Sequence, residues 1–526
     1  MTPPTVLATR WGAFLAAVLC GLAAGLAHPP FGVLPGLVGF AGLMALAERA
    51  APARPLRSAF FRGWAAGLGY FAVSVWWVVE AFLVDADVYG WMAPFALVFL
   101  AGGLALFWGA GAALYRWTRP AGFGRVLVFA GALALFEWLR GWVFTGFPWN
   151  LPGEAWRAGS APSQAAAVVG AYGLTWITLA LGAAPAVLFD ARPRRGRAMA
   201  AGLALLVLAG LYGFGAARLG PAPADPAGPQ IRIVQADIDQ KEKWRPENLP
   251  LVFADYARLT TQPAARRPDV VVWPEGALPA VLERLLADGS PYAPAMAAIL
   301  QPGQTLMMGA NAAQRRPDGG ADYFNSLAVL QRRPEGLVYA ARYDKHILVP
   351  FGEYLPLGGL ATRLGVRSLV HMPEDFTAGA PPRPLRVEGL PPLQPLICYE
   401  ALFPGFTRKA AARAGERPRW ILNISNDAWF GPTSGPLQHL NLASYRAIEE
   451  GLPMIRTTPT GVSAAIDPYG RIVPGTRIGL GNAGFRDVAL GAPVEVTPYS
   501  RFGETLLALM LVLSTVTAAL ARFRRT

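Results

Sequence analysis

From Trp11 to about Leu219 the apolar residues follow neither a helical nor a strand period but run together in long blocks separated by short arginine-rich stretches. A bilayer core of about 30 Å takes about 20 helical residues to cross. Seven windows meet that length, roughly 11–27, 31–48, 59–83, 88–114, 124–146, 164–189 and 198–217, and residues 503–521 form an eighth. Residues 220–502 read differently. Short β-rich runs occur at Ile231–Ile238, Val270–Trp273, Thr305–Gly309, Ser326–Leu330, Leu396–Tyr399, Trp420–Ile424 and Val462–Ile466. Helical patterns at Leu249–Thr261, Ala277–Ala287, Pro404–Ala414 and Leu440–Glu450 fall between them. This alternation predicts an α/β layered domain, a class that places its chemistry at strand ends. The expected organisation is a membrane domain at 1–219, an α/β domain at 220–502, and a closing transmembrane helix with a short tail at 503–526.

Composition sharpens this division. The chain is 53% hydrophobic and 15% charged, against about 25% charged in soluble proteins, which excludes collagen-like, disordered and disulfide-scaffold classes. The net charge of +13 would fit a nucleic-acid binder, but residues 221–500 are nearly balanced, with 28 basic and 26 acidic side chains. The basic excess lies in the apolar part. Arg49, Arg54, Arg57 and Arg62 surround the second loop, Arg116, Arg119 and Arg125 the fourth, and Arg192, Arg194, Arg195 and Arg197 the sixth, while Asp85 and Asp87 sit in the third. That is the positive-inside pattern, not a phosphate-reading face. With both termini inside and eight crossings, residues 220–502 are expected on the extracytoplasmic side. A cleaved signal peptide, ending near Ala24 to Ala27, is the alternative reading of residues 1–27. Glu137 and Arg140, three apart in the fifth window, share a helix face and are expected to neutralise charge within the helices.

Three strand ends in the α/β domain carry chemistry. Val270 to Trp273 delivers Glu275 just past Pro274, where partial burial would make a carboxylate a usable base. Lys345 lies in Tyr343-Asp344-Lys345-His346, a lysine retained in a chain with 43 Arg and 4 Lys, which favours a compact point charge at that position. Lys241, Lys243 and Lys409 have no such context. Leu396 to Cys398 ends in a thiol just before the Pro404 helix, where a helix N-terminus and a nearby cation are expected to lower its pKa. The other cysteine, Cys20, lies in the first apolar block, so the two are not expected to pair. No phosphate-cradling glycine loop is present, and His28, His346, His371 and His439 are scattered, so neither a cofactor nor a metal is expected.

A carboxylate, a lysine and a cysteine in this order, each closing a strand, resemble the Glu-Lys-Cys triad of the nitrilase superfamily, whose domain is an α-β-β-α sandwich. Seven apolar segments before such a domain and one after it resemble the membrane-bound branch of that superfamily, the apolipoprotein N-acyltransferases, over essentially the whole chain. Tyr70 to Trp77, Thr145 to Trp149, Pro350 to Tyr354, Asn423 to Gly431 and Gly461 to Ser463 add to the likeness. Ile347 and Pro459 depart from its motifs. The resemblance implies Glu275 as base, Lys345 as oxyanion partner and Cys398 as nucleophile, with Glu353, Tyr399 and Glu400 as supporting residues and Trp244 on an arm over the site. The Phe351-Gly352 and Gly358-Gly359 segments are flexible enough to be expected to form a lid toward the lipid. The implied reaction passes an acyl chain from a phospholipid through a Cys398 thioester to the α-amino group of a diacylglyceryl apolipoprotein, in the bacterial inner membrane with the catalytic domain facing the periplasm. A membrane-tethered amidase acting on a small amide and a non-catalytic scaffold are the competing readings.

Overall fold

A computed structural model describes residues 9–118, 122–189, 194–355 and 375–523. The chain divides into two compact units: residues 1–220, 433–449 and 496–526 form one, and residues 221–432 and 450–495 the other.

The first unit is helical. Its members are α1 (Arg10–Gly25), α2 (Gly39–Glu48), α3 (Pro55–Val75), α4 (Ala93–Thr118), α5 (Arg125–Arg140), α6 (Ala166–Ala183) and α7 (Arg194–Arg218). Each apolar window therefore contains a helix. Among the described residues four helical stretches, Ala86–Thr118, Pro162–Leu188, Arg195–Arg218 and Thr505–Phe523, are long and apolar enough to cross a membrane by themselves. Small residues let α1 and α3 touch backbone to backbone: a Cβ on Gly21 would lie 1.8 Å from the Ala66 carbonyl oxygen, and one on Gly69 2.3 Å from that of Val18. This is the usual way membrane helices pack closely. The unit holds a charged pair deep in its interior. Glu137 and Arg140 form a fully buried salt bridge, Trp108 Nε1 donates to Glu137 at 2.7 Å, and Arg140 also donates to the carbonyls of Phe147 and Trp149.

The second unit is an α-β-β-α sandwich. One sheet runs β10-β1-β2-β3-β4-β5 and the other β6-β7-β8-β9. Their members are β1 (Gln230–Gln235), β2 (Val270–Trp273), β3 (Thr305–Arg315), β4 (Ala321–Arg333), β5 (Gly336–Asp344), β6 (Leu393–Ile397), β7 (Trp420–Ile424), β8 (Met454–Thr457), β9 (Ala464–Ile466) and β10 (Gly484–Ala489). β1, β2 and β3 are parallel to one another, as are β6, β7 and β8, and antiparallel strands border them. Strand alternation builds two cores. Ile231, Ile233, Val270, Val272 and Met307 face Ile397, Trp420, Leu422 and Ile424 between the sheets. Val271, Trp273, Leu306 and Met308 point the other way, under α9 (Leu249–Thr260) and α10 (Tyr292–Ile299), where Val252, Tyr256 and Met296 meet them. A short helix, α8 (Gln240–Lys243), precedes α9, and α11 (Phe406–Ala414) is the crossover from β6 to β7.

The crossover from β7 to β8, α12 (Gly435–Glu450), groups with the first unit rather than the second. Tyr445 donates to the carbonyls of Gly153 and Trp156 at 3.1 and 2.5 Å, Asn441 Nδ2 donates to the Glu154 carbonyl at 2.9 Å, and Arg446 pairs with Glu154 at 3.5 Å. The closing helix α13 (Thr505–Phe523) also belongs there, with Ser514 accepting from Trp176 Nε1 at 3.0 Å.

Expected and observed elements differ in several places. The 277–287 helix shrinks to Leu282–Leu285, because Gly276 has φ 53° and Val281 runs extended to bridge Asn311. β1 stops short of Ile238 because Asp237 turns to φ 56°. β5, β8 and β10 were not legible as strands.

Candidate active site

Glu275, Lys345 and Cys398 follow β2, β5 and β6 respectively. The backbone that delivers Glu275 lies directly on β3: a Cβ on Gly309 would stand 2.4 Å from the Glu275 Cα, so that position has room only for glycine. Lys345 is fixed by its backbone, its N–H donating to the Asn325 carbonyl and its own carbonyl accepting from Gly379, both at 2.8 Å. Cys398 is not the last strand residue the sequence predicts. β6 ends at Ile397, and the thiol opens a 3-10 turn with φ 48°, a left-handed conformation that a non-glycine residue adopts only at a cost of about 1 kcal/mol or more. Such a turn takes the side chain out of the alternation of the strand.

Lys345 is 1% exposed and stands between two carboxylates, 3.0 Å from Glu353 Oε1 and 3.4 Å from Glu275 Oε1. Burial alone would lower its pKa, but Glu353 and then Glu275 outweigh that, and the ammonium is held above its ordinary value. The third contact of this cluster is Asn325 on β4. Its Nδ2 donates to Glu275 Oε1 at 2.6 Å and to Glu353 Oε1 at 2.7 Å. Two acceptors on one amide nitrogen fix the orientation of the side chain, since the reverse would set its oxygen against two carboxylates. Glu353 is tied further by the Val349 N–H at 2.8 Å. Glu275 Oε2 is buried without a hydrogen-bond partner, which leaves one oxygen of the base open.

The Cys398 thiol departs from expectation. Its pKa is raised, not lowered: burial is the largest cause and the Glu275 charge adds to it, while Lys345 and a hydrogen bond with Ser425 offset only part. The expected helix does not help, because α11 begins only at Phe406, behind the turn. The resting nucleophile is therefore a thiol that needs a base. Beneath it Ser425 donates to Asp427 at 2.7 Å, and Arg456 donates to Asp427 at 2.6 Å and also to Asn423.

Glu400 lies in the same turn, fully buried, and meets no arginine among the described residues. Its oxygens accept from Tyr343 Oη at 2.8 Å and from the N–H groups of His346, Ile397 and Ile347 at 2.7, 2.8 and 3.3 Å. It thereby joins the segment carrying Lys345 to the turn carrying Cys398. At position 347 it is the backbone N–H, not the side chain, that makes the bond. Burial pushes the Glu400 carboxyl up to about 7 against these donors. Tyr399 is buried with its ring 5.2 Å from that of Phe403, edge to face. Trp244 ends α8, and the neighbouring Lys243 ammonium lies 5.3 Å from its ring centre. Phe351 is 61% exposed with φ 63°; Gly358 and Gly359, the other half of the expected lid, lie outside the described residues.

Sequence reasoning missed Asn325, Ser425 and Lys243. Lys243 is 1% exposed, its ammonium has no hydrogen-bond partner, and a Cβ on Gly276 would lie 3.5 Å from it. Burial lowers its pKa to about 8, with Glu275 opposing. Its signal was the adjacent tryptophan in a polar stretch, which alone does not mark a buried cation. Among the described residues no group of three or more His, Cys, Asp or Glu could hold a metal ion.

Two family models match the chain: the apolipoprotein N-acyltransferase N-terminal domain over residues 20–184, and carbon-nitrogen hydrolase over residues 230–479. Apolipoprotein N-acyltransferase of Caulobacter vibrioides is 53% identical over 517 residues, covering 97% of this chain and 95% of that protein. The protein of that name from Brucella melitensis is 41% identical over 482 residues, covering 89% and 88%. Among solved structures, an amidase from Nesterenkonia sp. AN1 aligns with 53% of this chain and 98% of its own, at 18% identity and a TM-score of 0.35.

Proposed function

Because the chain belongs to the apolipoprotein N-acyltransferases, we propose that Glu275, Lys345 and Cys398 carry an acyl chain from a phospholipid to the α-amino group of a diacylglyceryl apolipoprotein. The observation that carries this reading is the buried ammonium of Lys345 held between Glu275 and Glu353. Glu275, through its open Oε2, takes the thiol proton as Sγ attacks the ester carbonyl. The ester C–O bond then breaks, the proton passes to the departing lysophospholipid oxygen, and the acyl group remains as a thioester. The neutral amine of the acceptor attacks next and loses a proton to Glu275. The C–S bond breaks, an amide remains, and the proton returns to sulfur. Lys345 faces the oxygen that gains charge in both steps, a contribution of about 3–4 kcal/mol for a preorganised donor. A raised thiol pKa suits this scheme, since the nucleophile is made only when base and carbonyl are both in place.

Glu353 holds Lys345 and stands as a second acid near the incoming amine, Glu400 orients both catalytic segments, and Tyr399 and Trp244 border the substrates. The charge pattern of the loops supports an inner-membrane placement with the α/β unit facing the periplasm. Incubation of the purified protein with phospholipid should add a fatty-acyl mass that neutral hydroxylamine removes and Cys398→Ala never acquires, with lysophospholipid as the co-product. A hydroxylamine-sensitive adduct in Cys398→Ala, or lysophospholipid formed equally by that variant, would sink the assignment.

A further inference from the structure

Where α3 begins and α4 ends, the first unit holds a cavity of about 340 Å³ lined by Arg54, Pro55, Leu56, Arg57, Arg116 and Trp117. Three of the six side chains are guanidinium groups and none is acidic. Nearby, Arg125 has its carboxylate, with Nε 3.4 Å from Glu48. Arg54, Arg57 and Arg116 have no ion pair among the described residues, and the Arg116 Nε is buried with no hydrogen-bond partner. A fourth cation is close, since the Arg522 guanidinium stands 5.6 Å from the Trp117 ring centre.

The start of α3 makes the imbalance worse. A helix N-terminus carries about half a positive charge and unpaired N–H groups, so acids and capping oxygens belong there. In α3 the N-cap is Arg54, no side chain caps the helix, and the first turn holds no acid. Two arginines are thus set against a 21-residue helix at its positive end. Like charges gathered in a concave site are unfavourable unless an anion occupies it, and an uncapped N-terminus beside guanidinium forks fits a phosphate. Apolar surface adjoins the charges: Leu56 is 42% and Trp117 55% exposed. Arginines, an aromatic and an aliphatic surface at the basic ends of membrane helices match a lipid headgroup rather than a free ion.

We propose that this cavity is a binding site for the phosphate of an anionic phospholipid, with Arg54, Arg57 and Arg116 as its ligands and Leu56 and Trp117 against the glycerol and first methylenes. A net negative headgroup is selected because a zwitterionic one brings an ammonium into a site that already holds three cations. The lipid here is a bound companion, not the acyl donor.

The test uses full-length protein in non-ionic detergent and diether lipids, which offer no ester to Cys398, with bound lipid counted by native mass spectrometry. Wild type should take up one diether phosphatidylglycerol at least about tenfold more tightly than diether phosphatidylcholine, a difference of about 1.4 kcal/mol. The triple variant R54Q/R57Q/R116Q should lose that preference, while R195Q/R197Q, altered in another basic loop, should keep it. Since removing these charges can disturb membrane insertion, R54K/R57K/R116K is the second variant. It keeps the charge but not the forks, and should bind several-fold more weakly while inserting normally. The proposal fails if both triple variants retain the preference, if the control loop abolishes it equally, or if millimolar inorganic phosphate displaces the lipid from wild type, which would make this a site for free phosphate.

Discussion

At the scale of single residues, the carboxylates and the lysine depend on an asparagine. Asn325 shares one amide nitrogen between Glu275 and Glu353, and hydrogen bonds to charged groups are worth about 1.5–3 kcal/mol. Asn325→Leu is therefore expected to slow formation of the acyl-enzyme by about ten- to a hundredfold. Single-turnover thioester formation measures this, and a rate within threefold of wild type would show that the amide is dispensable. The sequence could not announce this residue. Glu275, Lys345 and Cys398 stand out because each interrupts or closes an apolar run, whereas an asparagine inside Phe324-Asn325-Ser326 looks like any buried polar strand residue. Lys243 was passed over for a related reason: burial and the absence of a partner, not its neighbours in the chain, single it out.

At the scale of elements, Glu400 ties the end of β5 to the turn after β6. Its folded pKa of about 7 lies above the ordinary 4.5, so the unfolded chain ionises it first. Below pH 4.5 it is protonated in both states and costs nothing. As the pH rises from about 4.5 to about 7 the unfolded state releases its proton and the fold loses stability, by about 3 kcal/mol from this group. Unfolding midpoints in detergent should therefore fall across that window in wild type, and fall less steeply in Glu400→Gln, which has no proton to release. Equal slopes would mean that the carboxyl ionises normally in the fold. The elements were legible where an apolar run was long and bounded, as at Val270–Trp273 and Trp420–Ile424, which match the sequence reading residue for residue. They were not where polar residues sit inside strands: β5 carries Arg342, β8 Arg456 and β10 Arg486. In β8 the arginine is buried on Asp427, a tertiary pairing that no periodicity reveals.

At the scale of the whole molecule, the broad division into apolar helices and an α/β sandwich could be read from composition alone, but the place of α12 could not. Its sequence suits a sheet-covering helix, yet Gln438, Asn441, Tyr445 and Arg446 bond with Trp149, Glu154 and their neighbours in the helical unit. A fragment of residues 220–495 made alone would lose those tertiary hydrogen bonds, at about 0.5–1.5 kcal/mol each. It should be recovered insoluble, or without a cooperative thermal transition by circular dichroism; a soluble fragment that melts sharply would overturn this. The sandwich also closes on itself at its ends. β1 and β10 pair antiparallel, with Gln230 opposite Ala489, so the points where the chain enters and leaves the sandwich lie one strand spacing apart, about 5 Å. A domain with adjoining ends can be set into a host chain at a single site without stretching either partner. The architecture thus needs no gradual remodelling of a membrane protein into an enzyme: one gene insertion between two transmembrane segments suffices to join them.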